Sequence, residues 1–352
     1  SLGGLQGIGT IGYGAIGLGV FGLGVLLADL LAYRKASAKK PGENTQPEQA
    51  NQVEFILNST KISYDFSKLV FQEGGSRDPQ YFKNNLQREG STSRPLYFQE
   101  QHGDICYNKN ALPIEPHDKD MQFWMNASKT SNSEIHPNPP PFILAPTHIT
   151  KKQERDFWKL VLGQKVELIF MVHDEVLQAN NESPVPMLPK VSEVLNNKYV
   201  YVKHLSQNTD STNGIFTHKV ELGDRGNASL GIRTLTIYST PNWKAAEKGE
   251  GGADITPEAL LKLIKLHEQH NTTSIIQSYE GRGRAGVLFA CAYVKWLIDQ
   301  AAGNDKGIVL DVADIVEQIR LNERPGIIRS HHQFMKIVEF GNFYIKRLQE
   351  QN

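Results

Sequence analysis

Three stretches in the middle of the chain alternate apolar and polar residues with a period of two: "KYVYVKHL" (198–205), "GIFTHKVEL" (214–222) and "LGIRTLTIY" (230–238). Alternation sends successive side chains to opposite faces, so these are expected to be half-exposed strands, antiparallel to one another. "VELIFMV" (166–172) is apolar apart from Glu167 and reads as a buried strand. Helical spacing takes over in "TKKQERDFWKLVLGQ" (150–164), where Thr150 is placed to cap, and in "TPEALLKLIKLHEQH" (256–270), where Thr256 caps and Pro257 takes the first helical position. "DVADIVEQIRL" (311–321) and "HHQFMKIVEFGNFYIKRL" (331–348) are two closing amphipathic helices. Between them and the strands lies "TSIIQSYEGRGRAGVLFACAYVKWL" (273–297), an apolar strand, a glycine-rich loop and an apolar helix. The plan is α+β: a central twisted mixed sheet flanked by helices, with a strand–loop–helix unit near the C-terminal third. Residues 60–352 are expected to form one unit, and the proline-rich "TSNSEIHPNPPP" (130–141) is a loop within it.

The N-terminal pattern is different. Residues 3–28 carry no charge, and about 20 apolar residues suffice to cross a bilayer. Arg34, Lys35, Lys39 and Lys40 follow in "YRKASAKK" with no acid among them, which marks a cytoplasmic flank. Gly12, Gly17 and Gly22 recur at one spacing and Gly14, Gly19 and Gly24 at the same one, which suits close helix packing in a membrane. A signal peptide would have a basic front end, and none is present. Residues 1–33 are therefore read as a transmembrane helix and 34–59 as a juxtamembrane linker. The protein is expected to be single-pass, tethered through residues 3–28, with the rest cytoplasmic.

Composition removes several functions. The chain has 38 basic and 38 acidic side chains, so it lacks the basic excess of a general nucleic-acid binder. Two cysteines, Cys106 and Cys291, make neither a disulfide framework nor a zinc site alone. His331-His332 has no acids at ligand spacing, so no metal and no cofactor are expected. Phe157 and Trp158 are read as core anchors. With a cytoplasmic domain, the sequons at Asn58, Asn126, Asn181, Asn227 and Asn271 are chance matches.

The glycine-rich loop admits two readings. Gly281-Arg282-Gly283-Arg284-Ala285-Gly286 fits a dinucleotide-binding fingerprint, which would need an early βαβ unit and a parallel sheet across 166–300. The other reading is an oxyanion cradle. Counting six back from Arg284 gives Ser278, the spacing of a C-x5-R loop in which backbone N–H groups and a helix N-terminus hold phosphate. No C-x5-R occurs: six residues after Cys106 is Leu112, and six after Cys291 is Leu297.

At these residues the chain resembles the classical protein tyrosine phosphatases. Their H-C-S-A-G-x-G-R-[ST]-G signature is matched in place by Gln277-Ser278-Tyr279-Glu280-Gly281-Arg282-Gly283-Arg284-Ala285-Gly286. "FWMNAS" (123–128) is similar to D-Y-I-N-A-S. "FILAPTHITKKQERDFWKLVLGQKVELIFMV" (142–172) is similar to the Y-I-A-T-Q-G-P…T-x-x-D-F-W stretch, with Asp156, Phe157 and Trp158 matching. "ERPGIIRSHHQF" (323–334) is similar to R-P-G-M-V-Q-T-x-x-Q-Y.

The resemblance implies a phosphate loop of Ser278, Tyr279, Glu280, Gly281, Arg282, Gly283 and Arg284. It also implies that the chemistry is altered. The nucleophilic cysteine is replaced by Ser278, whose hydroxyl stays protonated without a base, and Gln277 is no base. The W-P-D acid loop becomes Thr240-Pro241-Asn242, and Asn242 has no proton to give. Arg329 stands where a glutamine positions water, although Gln333 keeps the second glutamine. Ala285 replaces a hydroxyl that assists the leaving thiolate, and Ala111 falls at the tyrosine that walls the phosphotyrosine pocket. An acid at the Glu280 position is associated in the family with altered preference, including phosphoinositides. So many departures fit a natural pseudophosphatase rather than an engineered substrate trap. The expectation is an inactive, membrane-tethered binding or scaffolding module for a protein or phosphoprotein, with phosphate or phosphoinositide as ligand. An active phosphatase with relaxed chemistry and a phosphotyrosine reader are the alternatives. Arg284 either still binds oxyanion or only ties down its own loop.

Overall fold

A computed structural model describes residues 61–63, 111–114, 123–130, 140–147, 151–172, 188–196, 199–226, 231–243, 254–270, 272–279, 281–302, 309–322, 327–328 and 330–351. In chain order these form β1 (Lys61–Ser63), β2 (Ala111–Ile114), β3 (Phe123–Lys129), β4 (Phe142–Pro146), α1 (Lys151–Gly163), β5 (Leu168–Met171), β6 (Val194–Asn196), β7 (Val200–Asp210), β8 (Ile215–Asp224) and β9 (Ile232–Ser239). Then follow α2 (Pro257–His270), β10 (Ser274–Ser278), α3 (Arg284–Ala301), β11 (Val309–Asp311), α4 (Val312–Asn322) and α5 (His331–Gln351). The N-terminal segment read as a membrane span and the linker after it lie outside the described residues. Among the described residues no helix is long and apolar enough to cross a membrane.

Nine strands make one mixed sheet in the order β2-β3-β4-β10-β5-β9-β8-β7-β6. The alternating strands β7, β8 and β9 pair antiparallel, as their pattern implies. The centre supplies the parallel part of the expected mixed sheet: β9 pairs parallel with β5, β5 with β10, and β10 with β4. All of β4, β5 and β10 is buried on both faces, which is where parallel strands are found. β10 is the last strand of this sheet. The helix after it leads to β11, which pairs with β1 in a separate two-stranded sheet. Among the described residues no βαβ unit follows the glycine-rich loop, so the dinucleotide reading falls.

The strands feed two apolar layers, one on each face. Phe142 and Leu144 of β4 face α2, α3, α4 and α5, while Ile143 and Ala145 face α1. α3 is apolar on nearly every side and is buried accordingly. Phe157 and Trp158 on α1 are fully buried core anchors. Thr256 caps α2: its Oγ1 accepts the Ala259 N–H at 3.2 Å. Asp311 does the same for α4, accepting the Ala313 N–H at 2.9 Å.

Candidate phosphate-loop site

β10 delivers its last residue, Ser278, beside Pro146 of β4 in the middle of the sheet. The chain must turn at once to start α3. Gly281 makes the turn with φ +67°, and its N–H donates to the Ser278 carbonyl at 3.0 Å. A Cβ on Gly281 would sit 2.7 Å from the Ala145 carbonyl carbon, so the loop lies directly on β4. Thr147 ties it there: its N–H donates to Ser278 O at 2.9 Å and its Oγ1 donates to Tyr279 O at 3.3 Å. Gly283 precedes α3 and supplies no side-chain cap, so the N–H groups of the first turn are left to the loop.

Ser278 is 2% exposed, and its Oγ has no hydrogen-bond partner. A buried hydroxyl without a partner is costly, and a ligand acceptor above the loop would relieve it. Gln277, on the opposite face, donates from Nε2 to Pro146 O at 3.3 Å, while its Oε1 is unpartnered. Arg284 opens α3 and is buried, with its Nη1 donating to the carbonyl of Trp243. Arg282 is also buried, and its carbonyl accepts the Ile328 N–H at 3.3 Å. Tyr279 is exposed at the rim.

The acid-loop counterpart is a tight turn. Trp243 N–H donates to Thr240 O at 3.0 Å, and Thr240 N–H donates to Met171 O at 3.1 Å. Trp243 is buried in the core, while Asn242 is exposed, with its Nδ2 3.8 Å from where a Gly214 Cβ would lie. Upstream, Ser239 is held by a buried histidine pair. His218 Nε2 is 2.8 Å from Ser239 Oγ, and its Nδ1 is 3.1 Å from His204 Nε2. Burial, and secondarily the neighbouring His204, push the His218 pKa down to about 4.

The structure brings Gln333 to the loop: its Nε2 lies 2.8 Å from where a Gly283 Cβ would be. Glu280 and Arg329 lie outside the described residues. Ala111 is on β2, with its side chain outside the description. Ala285 is fully buried, so its methyl belongs to the core. Cys291 is no substitute nucleophile, since complete burial raises its thiol pKa well above the usual value. His332 is engaged by Asp254, with Nε2 to Oδ2 at 3.1 Å, and among the described residues no group of three ligands could hold a metal. Two contributors were missed in the sequence: Thr147 and Trp243. Only Thr147 gave a signal, as the first hydroxyl after an apolar strand.

The sequence model described as protein-tyrosine phosphatase matches residues 99–340. A solved structure titled "Structural basis of PTPN18 fingerprint on distinct HER2 tyrosine phosphorylation sites" superposes with a TM-score of 0.58. It is 16% identical, and the match covers 76% of this chain and 94% of that one. At that identity it speaks for the fold. No curated protein matches. A family match across more than half the sequence, the mixed sheet, and a glycine loop joining its central strand to a buried helix agree: the chain belongs to the protein-tyrosine phosphatase family.

Proposed function

We propose that this is a catalytically silent phosphatase-like module that holds an oxyanion in the Ser278–Arg284 loop and serves as a membrane-tethered binding or scaffolding protein. The observation that carries the reading is the buried, unpartnered Ser278 Oγ. A loop thiolate would bring a negative charge that repels a bound phosphate. A hydroxyl brings none and can donate a hydrogen bond. It is also a weak nucleophile, and neither Gln277 nor Asn242 supplies acid–base chemistry. The partner is a protein carrying phosphate, a reading supported by the PTPN18 structure, whose title concerns tyrosine phosphorylation sites on HER2. The uncharged stretch 3–28 and the basic residues after it support a single membrane anchor with the module on the cytoplasmic side.

The test combines turnover and binding. Purified protein should not hydrolyse an aryl phosphate above an Arg284→Ala control. Inorganic phosphate, inositol phosphate and a phosphotyrosine peptide are titrated against both proteins. Phosphate binding lost in Arg284→Ala supports the anion site. Turnover that depends on Arg284 would make the protein an enzyme. Tight peptide binding abolished by Arg284→Ala would make it a phosphotyrosine reader.

A further inference from the structure

The outer side of the phosphate loop is braced by a short segment, Ile327–Ile328, between α4 and α5. Both side chains are fully buried. A Cβ added at Gly286, in the first turn of α3, would lie 2.4 Å from Ile327 Cγ1 and 3.2 Å from Ile328 Cδ1, so the pair presses on the start of that helix. Ile328 N–H reaches the Arg282 carbonyl inside the loop. Ile328 does this in a left-handed conformation, φ 59°, which is unfavourable for a β-branched residue. Something must hold it there.

That something is Arg320. The guanidinium leaves the last turn of α4 and is 5% exposed. Its Nε donates to Ile327 O at 3.0 Å, and its Nη2 donates to Ile328 O at 2.6 Å. A planar fork spans two consecutive carbonyls, which a lysine ammonium cannot reproduce. Gln333, one turn beyond the segment, packs on Gly283. We propose that Arg320 is a positioning residue for the anion loop: through Ile327 and Ile328 it sets where Arg282, Gly283 and the first turn of α3 lie. Its ligand arm rests on the anion-binding reading above. Its effect on loop geometry does not.

The experiment compares Arg320→Lys with a control of similar stability loss away from the loop, Lys295→Met, using the full chain. Affinity for inorganic phosphate and amide hydrogen exchange at residues 281–286 are measured alongside the melting temperature. Arg320→Lys should weaken phosphate binding by roughly tenfold, the worth of one charge-assisted hydrogen bond. It should also speed exchange at 281–286 selectively. Lys295→Met should lower melting and leave both readouts alone. If both variants lose affinity and protection in step with stability, or if Arg320→Lys matches wild type, the positioning role is wrong. If wild type binds no phosphate, the functional reading fails while the exchange comparison still decides the role of Arg320. Should Arg320→Lys not fold, Arg320→Gln removes the fork on the two carbonyls with a shorter, neutral side chain. Faster exchange at 281–286 supports the proposal there, and unchanged exchange overturns it.

Discussion

Replacing Gly281 by alanine tests whether the loop is as tightly seated as its geometry implies. Two costs add. The residue stands at φ +67°, and a non-glycine residue in the left-handed region costs about 1–2 kcal/mol. The new methyl would also lie 2.7 Å from Ala145 C, 2.9 Å from Ala145 O and 2.9 Å from Pro146 N. These are backbone atoms of a fully buried strand paired on both sides, so they cannot swing away as a side-chain tip would. Overpacking of this kind costs about 1–3 kcal/mol, and stiffening the unfolded chain returns about 0.4–1 kcal/mol. The net is about 1–4.6 kcal/mol, or roughly 2–18 °C of melting temperature for a domain of this size. Gly231 is the internal control. Its φ is +65°, and a Cβ there meets nothing within 4 Å, so Gly231→Ala carries the conformational cost alone. Thermal melting of both variants, with a phosphate titration of each, isolates the contact term. Equal melting temperatures, or an unchanged phosphate affinity in Gly281→Ala, would refute the close seating of the loop on β4.

Other expectations follow from the same geometry. His218 and His267 are buried with pKa values pushed down to about 4 from 6.5, mainly by desolvation. The unfolded chain therefore takes up protons first, and stability should fall as pH drops from 6.5 to 4, by at most about 3 kcal/mol per histidine; a flat melting profile over that window would contradict their burial. Asp210 is lowered to about 2 by its hydrogen bond to Lys262, so the stability it adds is lost only below about pH 3.8, a separate acid phase in an unfolding curve. Tyr344 donates to Asp299 at 2.6 Å beside the buried Lys295, and Tyr344→Phe should cost about 1 kcal/mol in denaturant melts without changing phosphate affinity. Ser278→Cys alone should give at most slight aryl phosphate turnover, and adding Asn242→Asp should raise it by up to about 10²–10⁴-fold; full activity from the single change would overturn the silent-module reading.

Much of the frame was legible because it rests on local rules. The alternation in 198–238 set three antiparallel strands, and Thr256 with Pro257 set the start of α2. The parallel centre was not legible: "FILAP" and "SIIQS" are too short and uniformly apolar for a pattern to reveal direction, which is fixed by what packs above and below them. At the site, spacing alone singled out Ser278, Gly281 and Arg284. The contacts that hold them join residues far apart in sequence, such as Thr147 to Tyr279 and Arg284 to Trp243. Arg320 looked like an ordinary residue near the end of an amphipathic helix, because nothing local shows that its fork closes on two carbonyls seven and eight residues later.

Oxygen at position 278 has a consequence for how the protein meets oxidants. A phosphate loop built around a thiolate is open to peroxide, which converts it to sulfenic acid and beyond, and so couples such a site to the redox state of the cell. Here the floor of the loop offers no sulfur to oxidise, and Cys291 is sealed inside α3 with its thiol held protonated. On the proposed reading, anion capture by this loop should persist through an oxidative burst that silences thiol-dependent phosphatases.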